Sequence, residues 1–500
     1  MSVYRQVCCW SIATFFVAAV FASDLRAADP PTAKDLALSL QAAFADAIER
    51  AEPSLVSVAR LRLPDGRIAH SLPDPLMNRR FAIQLQQEPI HRSWTDSDDP
   101  NWMPQDYGSG VVIDSAGFIL TNHHVVDGAE KVRVVLHTGK VLEADIWAAD
   151  PRSDLAVVRV EAKGLRAIRL GDASKVKKGH IVLALGNPLA MARDGRSSAS
   201  WGIIANIARR FPPPPVSPTG EPEELTLHHN GTLFQTDARL NYGASGGALL
   251  NLDGEMIGLV TALAAVRGYD QGAGYAIPMD EMTRRILGVL RDGREVEYGF
   301  LGIRPVDYRA TDADAETTGM PKEGARIEQV FAGSPAYQSG LQPNDVIISI
   351  DGAPVRNREE LVLTVGTRFA GSTVPFILNR DGKRTTVPVT LGKYPVGGRI
   401  YAENRPKPWR GVRVDYVTVL MTNSINAQTR LSEVPDGGVL VTHVESESPA
   451  ARAQLEANTI ITHVGSTRVR NPIEFQQAVL RLKGTVELTT DEGKVPVPAE

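Results

Sequence analysis

"NYGASGGALLN", Asn241 to Asn251, sets one serine, Ser245, among Gly243, Gly246 and Gly247, with an apolar run behind it. A chain gives up so many side chains for a tight turn, or to bring backbone N–H groups close to developing negative charge. A serine hydroxyl barely ionises at neutral pH and attacks only with a base beside it. If Ser245 is a nucleophile, distant parts of the chain must bring it a base and a carboxylate. Otherwise 243–247 is an ordinary glycine-rich turn.

Two upstream stretches offer those groups. "GFILTNHHVVDG" places His123 and His124 at the end of an apolar strand, and "ADPRSDLAVVRV" places Asp154 directly before another. A carboxylate so held orients an imidazole and stabilises its charged form. Taken singly, each stretch reads equally as surface histidines and a turn aspartate. The surrounding texture, from Gly108 to about Pro278, is short β-runs broken by turns, such as "KVRVVL", "HIVLALGNP" and "GEMIGLVTAL". Such spacing predicts a barrel or sandwich and not βαβ units. "RRFPPPPVSPTGEPEEL" reads as an extended surface excursion. "DEMTRRILGVLRDG" reads as a helix capped by Asp280, striped by Met282, Ile286, Val289 and Leu290, and ended by Gly293.

Upstream, Thr32–Glu52 reads as a helix with Leu36, Leu40, Phe44 and Ile48 every four residues, Thr32 and Asp35 at its cap, and Pro53 as its stop. Residues 60–107 are polar, irregular and proline-punctuated. Downstream lies a repeat: "SPAYQSGLQPNDVIISIDGAPVRNREEL" from Ser334 aligns without gaps on "SPAARAQLEANTIITHVGSTRVRNPIEF" from Ser448. Each copy then starts a helix with a capping box, Asn357 with Glu360 and Asn471 with Glu474, and a glycine, Gly366 or Gly484, is expected to end it. The units are too long and too few for a solenoid, so they are tandem domains.

The chain of 500 residues is too long for one core. Its apolar fraction of 43% and charged fraction of 22% are those of a folded protein, and a net charge of −4 gives no electrostatic case for nucleic acid. Arg5, an apolar run from Val7 to Ala22 and small residues near Ala27–Ala28 read as a secretory signal, with an uncleaved anchor as the rival reading. Both cysteines, Cys8 and Cys9, lie inside it, so the mature chain is expected to lack thiols and to work outside the cytoplasm. No HExxH pair or carboxylate cluster suggests a catalytic metal, and no phosphate-binding glycine motif suggests a nucleotide. No cofactor is expected.

Taken together, "GSGVVID", "GFILTNHHVV", "DPRSDLAVVRV", "ALGNP", "WGIIA", "FQTDARLNYGASGGALLN", "GEMIGLVTA" and "GAGYAIP" resemble, in order and spacing, the HtrA (DegP/Do-type) serine proteases, from about residue 45 to the end. The resemblance implies a mainly β protein with a chymotrypsin-like double β-barrel followed by two PDZ domains. It implies His124 as general base, because the family places the base directly before Val-Val, with Asp154 its partner and Ser245 the nucleophile. The backbone N–H groups of Gly243 and Ser245, with Ala244, would form the oxyanion hole. Gly272, Ala273, Gly274 and Tyr275 would belong to the loop lining the primary specificity pocket. Phe300, Leu301, Gly302 and Ile303 would form a carboxylate-binding loop opposite Leu361, and Trp409, Arg410, Gly411 and Val412 its degenerate counterpart opposite Phe475.

The expected domains are a signal over 1–28, an N-terminal helix, strand and loop over 29–107, a protease domain over 108–293 with its core beginning near 53, and PDZ domains over 297–394 and 405–500. The expected partners are unfolded proteins and C-terminal peptides, within a homotrimer or larger assembly, and a membrane only if the signal stays uncleaved. Two departures stand out: the family usually has Asn where Ala244 and His123 stand. A resting loop relaxed by the loss of Asn would make the chain a silent or gated chaperone on the same fold.

Overall fold

The computed structural model describes residues 31–61, 106–129, 131–187, 195–210, 226–241, 243–266, 269–313, 319–396, 400–421, 437–480 and 482–499. The expected signal, most of the irregular 60–107 stretch and most of the proline-rich excursion lie outside them. Helix α1 (Ala33–Ala51) starts as expected: the Thr32 hydroxyl accepts from Asp35 N, and the Asp35 carboxylate accepts from Thr32 N. Only half of its apolar stripe is used. Ala47 and Ala51 are buried and Phe44 and Ile48 pack on the core, but Leu36 and Leu40 are 59% and 44% exposed.

Strands β1 (Leu55–Leu61), β2 (Asp106–Val112), β3 (Phe118–Thr121), β4 (Lys131–Leu136), β5 (Val141–Asp150) and β6 (Leu155–Val160) pair in the order 1-2-3-6-5-4, and β4 returns to β1 to close a barrel. Strands β7 (Ile181–Gly186), β8 (Ser198–Arg209), β9 (Leu233–Thr236), β10 (Ala248–Leu250), β11 (Met256–Val266) and β12 (Tyr269–Pro278) close a second barrel in the matching order 7-8-9-12-11-10. Each barrel fills its interior with its own cluster, Val58, Ile119, Val134 and Val158 in the first and Val182, Ile204, Leu249 and Ala276 in the second. A third cluster, with Leu120, Leu155, Leu185 and Leu259, lies where the barrels meet. The short helix α2 (His123–Val126) follows β3. Helix α3 (Glu281–Arg291) follows β12, with the Asp280 carboxylate accepting from Thr283 N.

Two further units share one topology. The first is a sheet in the order β14 (Ile303–Arg309), β15 (Glu323–Val330), β16 (Val346–Ile350), β18 (Thr373–Arg380), β19 (Lys383–Thr390), with β17 (Ala353–Pro354) off β16. It carries α4 (Pro335–Gln338) and α5 (Arg358–Gly366). The ribbon of β13 (Gly299–Phe300) and β20 (Gly392–Lys393) joins its two ends. After β21 (Tyr401–Ala402), which pairs with β5 of the first barrel, the second unit repeats the order with β22 (Val412–Tyr416), β23 (Val439–Val444), β24 (Ile460–Val464), β26 (Val486–Thr490) and β27 (Gly493–Val497). Strand β25 (Thr467–Arg468) pairs with β24, and α6 (Pro449–Arg452) and α7 (Pro472–Val479) take the helix places.

The expected capping boxes form with one change. Asn357 and Asn471 accept from Glu360 N and Glu474 N, but both glutamates reach back one residue further, to Arg356 N and Arg470 N. Helix α5 ends at Gly366 as expected, whereas α7 ends at Val479, short of Gly484.

Candidate active site

The turn between β5 and β6 presents Asp154 at φ 55, a left-handed conformation that aspartate tolerates better than most residues. His123 N and Asn122 Nδ2 both donate to the Asp154 carbonyl at 3.1 Å, so the start of α2 is fastened to this turn. His124 then falls on the carboxylate. Its Nδ1 lies 2.9 Å from both Oδ1 and Oδ2, and its backbone N–H donates to Oδ1 at 3.1 Å. Thr261 Oγ1 donates to Oδ2 at 2.6 Å. Burial pushes the Asp154 carboxyl up, but the His124 charge and these donors outweigh it and bring the group to about 2. His123 faces away, its Nε2 lying 3.7 Å from Asp127. Of the two histidines, 124 is the one on the carboxylate.

Thr261 also reaches the serine: its carbonyl accepts from Ser245 Oγ at 3.0 Å. One residue of β11 therefore touches both the carboxylate and the hydroxyl. The serine turn is held from the first barrel. Ser109 N donates to Ser245 O at 2.7 Å, Ser109 Oγ donates to Gly243 O at 2.7 Å, and Thr121 Oγ1 donates to Ser109 O at 2.7 Å. Ala244 N donates to Asn241 O at 3.0 Å with Gly243 at φ 91, in the left-handed region that favours glycine. A Cβ on Gly243 would meet Asn187 O and the Tyr107 ring at 2.7 Å, so the glycine is required by space as well as by φ. Ala244 points into the second barrel's apolar interior. The loop is thus taut without an Asn at 244.

Sequence reasoning missed Ser109, Thr121 and Thr261. Their only signal was small hydroxyl residues between the glycines of "GSG" and at the ends of "FILT" and "IGLVT".

Gly272, Ala273, Gly274 and Tyr275 lie inside strand β12, not in a loop. Ala273 pairs with Ala264 and Gly274 with Leu263, and Gly274 and Tyr275 also pair with Thr236 and Gln235 of β9. The family resemblance implied a loop, but at Gly274 the missing side chain makes room within a strand: a Cβ there would meet Leu240 Cγ at 3.0 Å and Thr236 Cγ2 at 3.4 Å.

In the first C-terminal unit, Leu301 and Leu361 are both buried in one cluster, Phe300 pairs with Gly392, and Ile303 opens β14. The Leu301 and Gly302 carbonyls turn inward to accept from Ala336 N and Phe331 N. Since the peptides are trans, the N–H groups of Gly302 and Ile303 face the opposite way, outward. In the second unit the Arg410 and Gly411 carbonyls make the same inward bonds, to Ala450 N and Glu445 N. There, however, Val412 N donates to Trp409 O at 2.8 Å, and the Trp409 ring stands edge-on to Phe475 at 5.9 Å. The buried Arg410, where the first unit has Leu301, donates to the carbonyls of Val497 and Pro498.

Two six-stranded barrels with a serine turn and an Asp–His pair between them define a serine protease of the chymotrypsin-like class. Residues 108–259 match the trypsin-like peptidase domain family, and residues 299–391 match the PDZ domain family. A probable periplasmic serine endoprotease, DegP-like, of Pseudomonas putida (strain W619) is 31% identical over 442 residues, covering 87% of each chain. A protein of the same description from Chlamydia trachomatis serovar D is 31% identical over 428 residues, covering 84% of this chain and 78% of that one. The structure of the HtrA-type protease AlgW with a tripeptide superposes with a TM-score of 0.53 at 26% identity, covering 71% of this chain and 98% of that one. The chain belongs to the family of DegP-like serine endoproteases.

Proposed function

We propose that the chain is an exported, ATP-independent endopeptidase that cleaves unfolded or damaged proteins outside the cytoplasm, with Ser245, His124 and Asp154 as its triad. The observation that carries this reading is Thr261 binding the Asp154 carboxylate and the Ser245 hydroxyl at once. Ser245 Oγ attacks the scissile carbonyl carbon while His124 Nε2 takes its proton, and Asp154 steadies the imidazolium through Nδ1. The oxyanion takes hydrogen bonds from the N–H groups of Gly243 and Ser245, but not from that of Ala244, which was expected to join them and is instead donated to Asn241 O. His124 then hands the proton to the departing amine as the C–N bond breaks, and water, deprotonated by the same ring, frees the acyl group. At rest the serine hydroxyl donates to Thr261 O, so its proton must turn toward His124 before attack. Ser245→Ala is expected to lower turnover of unfolded casein by roughly 10⁶-fold and to abolish fluorophosphonate labelling. Near-normal cleavage by that variant refutes the assignment.

The first PDZ domain is proposed to capture C-terminal carboxylates on the outward N–H groups of Gly302 and Ile303, with the peptide added along β14. Residues 405–500 are proposed as a second PDZ domain that serves as a scaffold, because Val412 N is already spent on Trp409 O. The exposed Leu36 and Leu40, with Trp201 at 63% exposure beside Phe44, favour a homotrimer or larger assembly that covers them.

A further inference from the structure

The turn that carries Asp154 is held from outside the barrels as well as from within. Asp150, four residues before Asp154, is 3% exposed, and its carboxylate accepts from Ser153 N at 3.0 Å, from the Ser153 hydroxyl and from the Tyr298 hydroxyl. Between them lies Arg152, 7% exposed, whose guanidinium carbon sits 3.4 Å from the centre of the Tyr394 ring and 4.8 Å from that of Tyr298. Its Nη1 has no hydrogen-bond partner among the described residues, so the two ring faces carry much of what holds this buried cation.

Both tyrosines belong to the ribbon through which the first PDZ domain enters and leaves. Tyr394 N donates to Tyr298 O at 2.8 Å, next to the Gly299–Lys393 pair. The domain's groove helix reaches the same place, since a Cβ on Gly366 at the end of α5 would stand 3.4 Å from Arg152 Nη2. On the opposite side, Leu227 N donates to Arg152 O and His228 Nε2 donates to Ser153 O, both at 2.8 Å.

We infer that Tyr298 and Tyr394 are positioning residues for Asp154: the PDZ ribbon completes the catalytic turn by fixing Asp150 and Arg152. The inference rests on the triad reading above. Asp154 holds a left-handed backbone that persists only when its surroundings over-determine it, and its orientation sets how well the carboxylate meets His124 Nδ1. Loosening the ribbon misplaces the carboxylate and leaves peptide binding at the barrel cleft unchanged.

The test uses the full chain, with Tyr298→Phe, which removes only the hydroxyl, and Tyr394→Leu, which removes the ring face together with its hydroxyl. Cleavage of an internally quenched peptide is normalised to sites labelled by a fluorophosphonate probe. Each variant is expected to lose about tenfold in kcat per labelled site with KM changed less than about twofold. The acid limb of the kcat profile is expected to move to lower pH, because a misplaced Asp154 supports the His124 cation less. The charged or titratable groups around this pair are Asp150, Arg152, His123, His228, Tyr298 and Tyr394, and Tyr394→Leu alters only the last, a phenol, which carries no charge across the acid limb. Loss of packing alone would reduce the number of labelled sites and leave both kcat per site and the acid limb unmoved, and that result overturns the inference. Ser245→Ala in the same assay separates the two readings. If it is silent while both tyrosine variants match the parent, the triad stands and the inference falls; if it still cleaves, the triad reading falls first.

Discussion

Thr261→Val isolates one strut of the active site. It deletes the hydroxyl that donates to Asp154 Oδ2 at 2.6 Å and keeps the carbonyl that accepts from Ser245 Oγ. Asp154 stands at about 2 against an ordinary 3.8, a depression equivalent to roughly 2–3 kcal/mol of stability at neutral pH. Thr261 lowers it less than the His124 charge and the His124 hydrogen bond do, and one hydrogen bond to a carboxylate is worth about 1–2 kcal/mol. The sign follows from the depression. The folded value lies below the unfolded one, so this stability is fully present above pH ~4 and is lost as pH falls toward 2. The parent-minus-variant difference from urea unfolding is therefore expected to be about 1–2 kcal/mol at pH 7, to persist for the most part at pH 3, where the folded carboxylate is still largely ionised, and to shrink markedly only near pH 2. Asp154 remains ionised at pH 7 in the variant, so catalysis falls only by what positioning is worth, about tenfold in kcat. A difference equally large at pH 2 and pH 7 would refute the electrostatic account. An unchanged kcat would show that this hydroxyl does not place the carboxylate.

Gly243→Ala is expected to lower kcat by about 10²-fold or more, because the added methyl meets Asn187 O and the Tyr107 ring and forces the oxyanion turn open; single-turnover labelling by a fluorophosphonate checks it. Glu297 is pushed up to about 7 by burial, with Lys393 pulling it down and Asp415 and Glu295 pushing it further up. A carboxyl raised in the folded state costs stability as pH climbs from its ordinary 4.5 through 7. Glu297→Gln is therefore expected to stabilise the chain by about 3 kcal/mol at pH 8 and by little at pH 4.5, as read from urea unfolding.

The periodic features of this protein were legible because they are local. Period-two runs became the strands of both barrels, Thr32, Asp280, Asn357 and Asn471 cap the helices assigned to them, and the gapless repeat became two units of one topology. Local signals failed where a residue's partner was remote. Leu36 and Leu40 carry the α1 period but have no described neighbour to cover them. Ser109, Thr121 and Thr261 are unremarkable hydroxyls in sequence, and they become supports of the site only because one barrel is laid against the other. Tyr298 and Asp150, 148 residues apart, meet only once the PDZ ribbon docks. Hydrophobic period and capping report on the element a residue belongs to. Hydrogen bonds between elements leave no such trace.

Ala244 tests whether that distinction has been drawn correctly. The family pattern put the burden of the serine turn on an Asn side chain at this position, and its loss suggested a loop free to relax. The turn here is fixed by bonds that need no side chain at 244: Ala244 N to Asn241 O, Gly246 N to Val260 O, Ser109 Oγ to Gly243 O and Ser109 N to Ser245 O. The methyl itself is 7% exposed and packs with Val182, Leu249 and Val260. An amide placed there meets an apolar interior and costs about 1–3 kcal/mol unless it finds a partner. Ala244→Asn is therefore expected to lower stability to urea by about that amount and to leave the rate of Ser245 labelling unchanged or slower. A faster labelling rate together with higher stability would mean that the resting turn was slack after all, and that Asn restores an order the backbone bonds do not provide.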